Sequence, residues 1–558
     1  MGSTGRFVLL VLAVGVLACA TPVAPTGGDR DETPPVLQTE GTTPNESVDF
    51  DGRGFTLTYD EWLQLKDLNK ELVISPPLEY RPEVSLRKKT VRFTFDEREV
   101  LRDSATYTVN FGDAVQDLNE GNSAEARFVF ATGPFLDSLT VDAAVVDALT
   151  NAPVPKALFL LYESTRDSAA LDELPFYFAR TDKQGRATIR NVRAGRFRAA
   201  ALLDNNQNYR LDGKEQIGFR AAPLLVSDTA DAALVLRLFA EAPKQRIVQK
   251  ETRDYGLVVL TFARPPDEVT LRYSPTPGLR TYPEVLKDSL RVWYTYAGNE
   301  SWEIYYDRPD RIDTISVPAR DVATLAGGQR LEIAEPVRNT VPVFDDAPAR
   351  FVFSHPLQQL DPDSMYVLRD TLPEPLPIRA ARIDSSALRT AVVEFGQAPG
   401  SVYLVHLLPG AATDIYGYSN RDTLRQRYRA VPADELSTLA LEIAPLDSTQ
   451  QYVLRFGRAK QPPTRTEVVR GRSSYTWDLG TLLPDNYQVE VIEDRNANGR
   501  WDTGNYLARR QPEPTQVIPL GTLRENWEQV EQLDVSFERA PPPVAPAPSP
   551  PAPRRPKN

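Results

Sequence analysis

Two short stretches of the chain carry acidic and amide side chains at alternating positions, an arrangement that could wrap a metal ion. The first stretch has its oxygen-bearing residues at positions 1, 3, 5, 9 and 12 of a loop, with a backbone carbonyl at position 7: Asp204, Asn206, Asn208, Asp212 and Glu215, and the carbonyl of Arg210. Hard oxygen ligands at this spacing bind Ca²⁺. The first stretch therefore predicts a calcium site.

The second stretch repeats much of this pattern, with Asp494, Asn496, Asn498, Gly499, Asp502 and Asn505. It has a glycine for the sharp turn but no glutamate at position 12, whereas the first stretch has Tyr209 at the glycine position. Both stretches follow predicted strands, so neither is a helix–loop–helix site. Asn and Asp also form Asx-turns in long hairpin loops, and the sequence leaves calcium binding and plain turns both open.

The single cysteine, Cys19, directly follows an apolar run from Phe7 to Ala18. A run of about twelve residues is too short to cross a bilayer as a helix and is typical of a signal-peptide core. The tetrapeptide Val16-Leu17-Ala18-Cys19 resembles a bacterial lipobox, which implies that Cys19 becomes the lipid-modified first residue of the mature chain. The alternative is a free cysteine in a discarded leader.

Motifs of known catalytic sites are missing from the sequence: it has no nucleophile elbow, P-loop or H-E-x-x-H pattern. Its two histidines, His355 and His406, are predicted to lie in short apolar strands with a structural role. A hydrolase with a pair of carboxylates stays open as the least favoured alternative, because 76 acidic residues allow many pairs.

Composition indicates several exported domains that are not built for nucleic acid. The 558 residues exceed what one hydrophobic core serves, which is about 250–300 residues. The 64 basic and 76 acidic residues give a net charge of −12, which disfavours binding to phosphates. The 48 prolines, together with many short runs of Val, Leu, Tyr and Phe, favour an all-β chain with frequent turns. No apolar stretch after Cys19 reaches about twenty residues, so no transmembrane helix is expected.

The first folded stretch, 34–134, shows alternating strands, such as Phe55, Leu57 and Tyr59. It resembles the bacterial Ig-like domain of surface-layer proteins, the SbsA type, which implies a structural or adhesive module without catalytic residues. The resemblance rests on seven segments: Asp31 to Pro35, Thr43-Pro44-Asn45, Leu57-Thr58-Tyr59-Asp60-Glu61, Ser75-Pro76-Pro77, Ser104-Ala105-Thr106-Tyr107, Asp117-Leu118-Asn119-Glu120-Gly121-Asn122 and Phe128-Val129-Phe130-Ala131-Thr132-Gly133.

The next stretch, 135–243, resembles the carboxypeptidase regulatory-like, or transthyretin-like, sandwich. The resemblance rests on Val145-Val146-Asp147, Pro153-Val154-Pro155, Ala157-Leu158-Phe159, Thr181-Asp182-Lys183-Gln184-Gly185, Ile189, Val192, Gly195 and Phe197. It implies a module that positions its neighbours and is not itself a peptidase. Gly185 is expected to supply the positive φ of a hairpin turn.

Two internal repeats organise the rest. An offset of 290 residues places Asp204 on Asp494 and Phe197 on Tyr487, and a fainter offset of 297 places Asp117 on Asp414. The sequence thus predicts an all-β string of Ig-like and transthyretin-like sandwiches. Its expected parts are a signal peptide at 1–18, a spacer at 19–33, an Ig-like domain at 34–134, a carboxypeptidase regulatory-like domain at 135–243, a β-rich domain without a recognised family at 244–342, a second Ig-like domain at 343–432, a second transthyretin-like domain at 433–538 and a Pro-rich tail at 539–558.

These features predict a non-catalytic lipoprotein of the cell envelope, anchored by lipid, with the outer membrane as the expected site and a structural, adhesive or scaffolding role. The alternative is a module that binds an envelope glycan or protein through exposed aromatics such as Trp293 and Trp302, although tryptophans of this kind are more often core residues. Apart from Ca²⁺, no cofactor is expected, and nucleic acid is not an expected partner.

Overall fold

The computed structural model describes residues 31–164, 166–227, 234–253, 256–266, 269–308, 311–319, 330–334, 339–344, 346–370 and 372–537. Their regular secondary structure is almost entirely β-strand, which confirms the predicted all-β fold class. The α-helices of the described part are single turns, Leu68–Glu71 (α1) and Ala169–Asp172 (α2). Two 3₁₀ turns lie at Pro362–Ser364 and Ala433–Glu435.

The chain divides into two compact units. Unit 1 comprises Met1–Val145, Val154–Asp212 and Ala222–Leu236, and unit 2 comprises Val146–Pro153, Gly213–Ala221 and Arg237–Asn558. The predicted domain at 135–243 is therefore shared between the two units.

Unit 1 begins with a sandwich whose strand orders are β1-β2-β6-β5 and β4-β7-β9, with β3 and β8 as a separate pair. Phe55 stacks between Phe93 and Phe128, with ring centroids 4.8 and 4.0 Å apart. The predicted alternation of Phe55, Leu57 and Tyr59 is confirmed, because all three are buried. The strands are Leu37–Gln38 (β1), Gly54–Tyr59 (β2), Leu63–Leu65 (β3), Val73–Ser75 (β4), Glu83–Arg87 (β5), Thr90–Thr94 (β6), Thr106–Asn110 (β7), Val115–Asp117 (β8) and Arg127–Ala131 (β9).

The next eight strands are Leu139–Asp147 (β10), Leu158–Tyr162 (β11), Tyr177–Arg180 (β12), Arg186–Val192 (β13), Gly195–Leu203 (β14), Gln216–Phe219 (β15), Leu224–Val226 (β16) and Leu234–Ala240 (β17). Within unit 1, β11 pairs with β12 and β14, β10 pairs with β13, and β14 also pairs with β16. Within unit 2, β15 pairs with the end of β17. Gly185 has a φ of 71°, as its expected turn requires.

The middle of unit 2 is a further sandwich, with sheets β18-β19-β22-β21 and β20-β23-β24. Its core contains Leu260, Val292, Trp302 and Ile304, each at most 1% exposed. The strands are Ile247–Arg253 (β18), Leu257–Phe262 (β19), Thr270–Tyr273 (β20), Arg280–Val285 (β21), Ser289–Thr295 (β22), Trp302–Asp307 (β23) and Ile312–Val317 (β24).

The following sandwich has sheets β25-β34-β32-β28-β29 and β26-β31-β30 and the separate pair β27–β33. Its three-stranded sheet and its separate pair have counterparts in β2-β6-β5 and β3–β8 of the first sandwich. The strands are Val341–Val343 (β25), Ala349–Val352 (β26), Leu357–Leu360 (β27), Met365–Arg369 (β28), Leu372–Leu376 (β29), Ile378–Ile383 (β30), Thr390–Phe395 (β31), Val402–Leu407 (β32), Ala412–Asp414 (β33) and Leu424–Ala430 (β34).

The last sandwich has sheets β38-β35-β41 and β37-β36-β39-β40 around a core that includes Leu441, Leu454 and Val489. The strand β41 runs parallel to β35 along the edge of the first of these sheets. The strands are Ser437–Ala444 (β35), Gln451–Arg458 (β36), Arg465–Arg470 (β37), Tyr475–Leu482 (β38), Asn486–Asp494 (β39), Thr515–Thr522 (β40) and Glu528–Asp534 (β41).

Candidate functional site

The first polar loop leaves the end of β14 and is organised by Asp204. Oδ1 of Asp204 accepts hydrogen bonds from the backbone N–H groups of Gln207 and Asn208, at 2.6 and 3.3 Å, and Oδ2 accepts one from Tyr209 at 2.9 Å. A carboxylate that receives several backbone N–H groups fixes a tight turn. The side chain of Asp204 is therefore a turn-forming group in this structure.

Asp212 closes the same loop from its other end. One oxygen of Asp212 accepts hydrogen bonds from the side-chain amides of Asn206 and Asn208, at 2.8 and 2.7 Å. The structure thus brings Asp204, Asn206, Asn208 and Asp212 together, as the spacing predicts. Both amides present nitrogen to the carboxylate, so each would have to turn before its oxygen could face a cation.

The remaining residues of the first loop have distinct positions. Arg210 is exposed, and its backbone N–H donates to Asn208 Oδ1 at 2.8 Å. Glu215 belongs to unit 2 and is 7% exposed just before β15. Tyr209 takes the positive φ of 60° that we expected a glycine to supply. Its ring packs against Phe178, with centroids 4.8 Å apart, and this contact compensates for the strained backbone.

The second polar loop repeats the hydrogen bonds of the first at equivalent positions. Asp494 accepts the backbone N–H groups of Asn498 and Gly499, at 3.1 and 2.7 Å, and Asp502 accepts the side-chain amides of Asn496 and Asn498. Gly499 has a φ of 80°, at the position equivalent to Tyr209.

Asp494 is tied to the sandwich beneath the second loop as well. Its side chain is 1% exposed, and its Oδ2 accepts Gln451 Nε2 at 2.7 Å. Asn505 lies beyond the loop, where its Oδ1 accepts the backbone N–H of Ala508.

Sequence reasoning missed Glu513, which braces the second loop from below. Its two oxygens accept the backbone N–H groups of Arg495 and Asp502, each at 2.9 Å, and only 6% of the residue is exposed. Burial raises the pKa of the Glu513 carboxyl. The repeat could not reveal this residue, because the offset of 290 places Pro223 at the equivalent position.

Among the residues that the structure describes, no group of three or more His, Cys, Asp or Glu side chains is arranged to hold a metal ion. Calcium binding by the two loops stays a prediction. The geometry supports the other interpretation directly, because the carboxylates and amides of both loops are engaged in turn hydrogen bonds.

The two histidines occupy different surroundings. His406 lies in β32 as predicted, where its ring stacks on Tyr366 at 4.4 Å; burial lowers its pKa, and Arg425 lowers it further. His355 was predicted in a strand, and this prediction is wrong, because it lies in the bend between β26 and β27. Its Nδ1 is 2.8 Å from Oδ2 of Asp414, which is fully buried.

The structure agrees with the expectation that Trp293 and Trp302 are core residues and contradicts their alternative use as exposed aromatics. Trp293 is 5% exposed and Trp302 is 1% exposed, because both pack into or against the middle sandwich of unit 2. Neither ring offers an open face to a ligand at the surface.

Cys19, the predicted lipidation site, lies outside the described residues, as do the signal peptide and the Pro-rich tail at 539–558. No helix in the described residues has both the length and the apolar character needed to cross a membrane.

Comparison with known structures gives matches at low sequence identity and low TM-score. A crystal structure of the bacterial S-layer protein SbsC, residues 31–844, matches 81% of this chain and 65% of its own, with 12% identity and a TM-score of 0.15. The N-terminal part of SbsC matches 32% of this chain and 43% of its own, with 12% identity and a TM-score of 0.16. BcpA, the major pilin subunit of Bacillus cereus, matches 71% of this chain and 99% of its own, with 10% identity and a TM-score of 0.12.

This chain thus spans less than two thirds of the length of the two SbsC structures. No curated protein matches the sequence. A family model does match the first sandwich, whose strands and core are described above. Residues 31–132 are similar to the bacterial Ig-like domain.

Proposed function

We propose that this chain is a non-catalytic structural component of a bacterial cell envelope, held at a membrane by lipid on Cys19. The match of residues 31–132 to the bacterial Ig-like domain supports the structural role. The apolar leader that ends at Cys19 supports the anchor. The two are independent, so either can fail without the other.

The observation that carries the structural role is a set of hydrogen bonds between segments of unit 2 that are far apart in the sequence. The Thr515 hydroxyl donates to the carbonyls of Ala148 and Leu149, at 3.1 and 2.5 Å, and the Thr503 hydroxyl donates to the carbonyl of Ala240 at 2.7 Å. A chain of freely linked binding modules would not need such ties, because modules on flexible linkers behave independently. These hydrogen bonds therefore favour a stiff scaffold.

A further tie joins the middle sandwich of unit 2 to the one that follows it. The Tyr416 hydroxyl donates to the carbonyl of Gly256 at 2.7 Å, and its ring lies edge-on to His355, with centroids 5.5 Å apart. A Cβ at Gly256 would lie 2.5 Å from the Tyr416 oxygen, so only glycine fits this contact. The junction is therefore closely packed, which also favours stiffness.

The experiment for the anchor compares wild type with Cys19→Ser in cells fed a labelled fatty acid, followed by fractionation of the envelope. We expect label and membrane association for wild type, and neither for Cys19→Ser, because stable anchoring needs more than one acyl chain at the modified cysteine. Thr21→Ser in the spacer is the control. A mature wild-type protein that starts at another residue and is soluble would contradict the anchor.

The structural role is tested by assaying the purified chain for turnover on a panel of glycosides and by probing its stiffness with small-angle scattering. We expect no turnover, and a scattering curve of the full chain that can be fitted with the sandwiches of unit 2 held in one arrangement. Turnover would support the carboxylate-pair hydrolase instead. A curve that requires many arrangements of the sandwiches in unit 2 would contradict a stiff scaffold.

A further inference from the structure

A cavity of about 420 Å³ lies in unit 2, between the middle sandwich and the sandwich that follows it. Its walls come from β19, from β22 and from residues next to β26 and β31, which include Ser354 and Arg389. Small-molecule sites are typically clefts of about 300–1,000 Å³ where domains meet. The cavity has the size and the location of such a site.

One wall of the cavity is the outer face of the sheet, which the alternation of the strands creates. Val258 and Leu260 point into the core of the middle sandwich, so their neighbours Leu257, Val259 and Thr261 face the opposite side and line the cavity. Leu257 and Val259 remain partly exposed there. On β19 this face is apolar apart from the hydroxyl of Thr261, while the paired strand β22 presents Ser289, Arg291 and Trp293 on the same face.

The polar part of the cavity contains two arginines that share one carboxylate as their partner. Glu284 accepts hydrogen bonds from Arg389 Nε, at 2.9 and 3.1 Å, and from Trp293 Nε1 at 3.2 Å. Arg291 Nη1 lies 3.8 Å from the same carboxylate. The carboxylate thereby holds the Arg389 guanidinium and the indole edge by hydrogen bonds and lies beside the Arg291 guanidinium. All three residues line the cavity.

The charges around the cavity balance. Arg291 and Arg389 in the lining bring two positive charges, and the exposed Asp288 at the rim brings one negative charge. Glu284 is not part of the lining, but it pairs with both arginines and brings the second negative charge. An ion would therefore find no net opposite charge to offset the loss of its hydration. A neutral ligand with many hydroxyl groups would find the guanidinium of Arg291, the carboxylate of Asp288 and the hydroxyl of Ser289, beside the apolar side chains of Leu257 and Val259.

We propose that this cavity binds a neutral saccharide of one or two sugar rings. Sugar rings combine apolar C–H faces with hydroxyl edges, and the apolar side chains of Leu257 and Val259 face the first while the Asp288, Ser289 and Arg291 side chains pair with the second. The binding goes beyond the structural role proposed above and does not depend on it. It gives the stiff part of unit 2 a place to hold glycan.

The test uses the full chain, with cellobiose and N,N′-diacetylchitobiose as neutral probes and glucuronate and inorganic phosphate as charged ones. Binding is followed by saturation-transfer NMR and by titration calorimetry. We expect a neutral disaccharide to bind more tightly than either charged probe. Tighter binding of glucuronate or phosphate would overturn the ligand class, and the absence of binding by any neutral probe would overturn the site.

Two variants place the binding in the cavity. Val259→Trp fills the space beside the apolar wall and should weaken binding at least about tenfold, which is the effect of losing one good contact. Val248→Trp is the matched control, since Val248 is half exposed on the neighbouring strand β18 and does not line the cavity. Undiminished binding by folded Val259→Trp would overturn the proposal.

Arg291→Ala provides a second line of evidence if Val259→Trp fails to fold. Its side chain is partly exposed, and its removal leaves the core intact. The variant should also lower the affinity for the neutral disaccharide by about tenfold, because the guanidinium donors are lost. Retention of full affinity in this variant would contradict the assigned role of the guanidinium groups.

Discussion

The guanidinium of Arg509 lies over the ring of Phe219, 4.5 Å from its centroid, although the two residues are 290 positions apart in the chain. This separation equals the offset of the stronger internal repeat, although Phe219 ends strand β15 and Arg509 lies in a turn. Both belong to unit 2. Arg509 Nη2 also donates to the carbonyls of Arg220 and Ala221, at 2.6 and 2.8 Å. Two segments that are far apart in the sequence thus bind each other within unit 2.

Arg509→Ala should destabilise unit 2 by about 1–3 kcal/mol, because it removes a cation–π contact and leaves two carbonyls without their donor. The measurement is urea unfolding, with hydrogen exchange of residues 216–221 as a local probe. Arg510→Ala is the matched control, because Arg510 is an exposed neighbour. Equal stability of the two variants would show that the contact contributes nothing.

Asp117→Asn should destabilise the first sandwich at neutral pH. Burial by itself raises the pKa of Asp117, but backbone N–H groups of Gly121, Glu120, Asn122 and Asn119 outweigh it and hold the pKa below its ordinary value of 3.8. A charged acceptor of this kind contributes about 1–3 kcal/mol to the free energy of unfolding.

The pH dependence of the Asp117 contribution has a definite sign. The folded state has the lower pKa, so the stabilisation is complete above the ordinary pKa and is lost as the pH falls through the folded value. The difference in urea midpoint between wild type and Asp117→Asn should therefore shrink below about pH 4. The exposed Asp113 provides the control Asp113→Asn, and a difference that grows in acid would contradict this account.

Glu513→Ala should loosen the second polar loop and destabilise the last sandwich by about 1–3 kcal/mol, because the N–H groups of Arg495 and Asp502 lose their shared acceptor. Hydrogen exchange at these two amides is the direct measurement. Glu525→Ala, at an exposed position, is the control. Unchanged protection of both amides would show that Glu513 does not brace the loop.

Calcium should raise the melting temperature modestly if the loops bind it. Extracellular sites with dissociation constants of roughly 10⁻⁴–10⁻³ M give about 1–2 kcal/mol at about 2 mM calcium. Asp204→Ala should remove most of the effect and Asp494→Ala less, as the second loop offers fewer charged ligands. The scan should use the full chain in calcium, magnesium and chelator, because residues 135–243 are shared between the two units. Equal melting in all three would leave the loops as plain turns.

The sequence could predict what depends on local periodicity. The alternation of Phe55, Leu57 and Tyr59 indicates a strand with one buried face, since side chains of a strand alternate between its two faces. The repeat offset likewise identified the two loops, and the hydrogen bonds of Asp204 and Asp494 do recur at equivalent positions. Cys19 and the leader remain predictions that the described structure does not test.

Tertiary structure alone decided the contacts that join distant residues. Nothing near Trp293 in the sequence distinguishes an exposed aromatic from one that the next sandwich covers, because burial depends on a partner about sixty residues away, His355. The same holds for Glu513 under the second loop and for Arg509 over Phe219. A residue's neighbours along the chain determine its strand and the face on which it lies. What that face meets depends on how the strands pack, and that is not encoded in any local pattern.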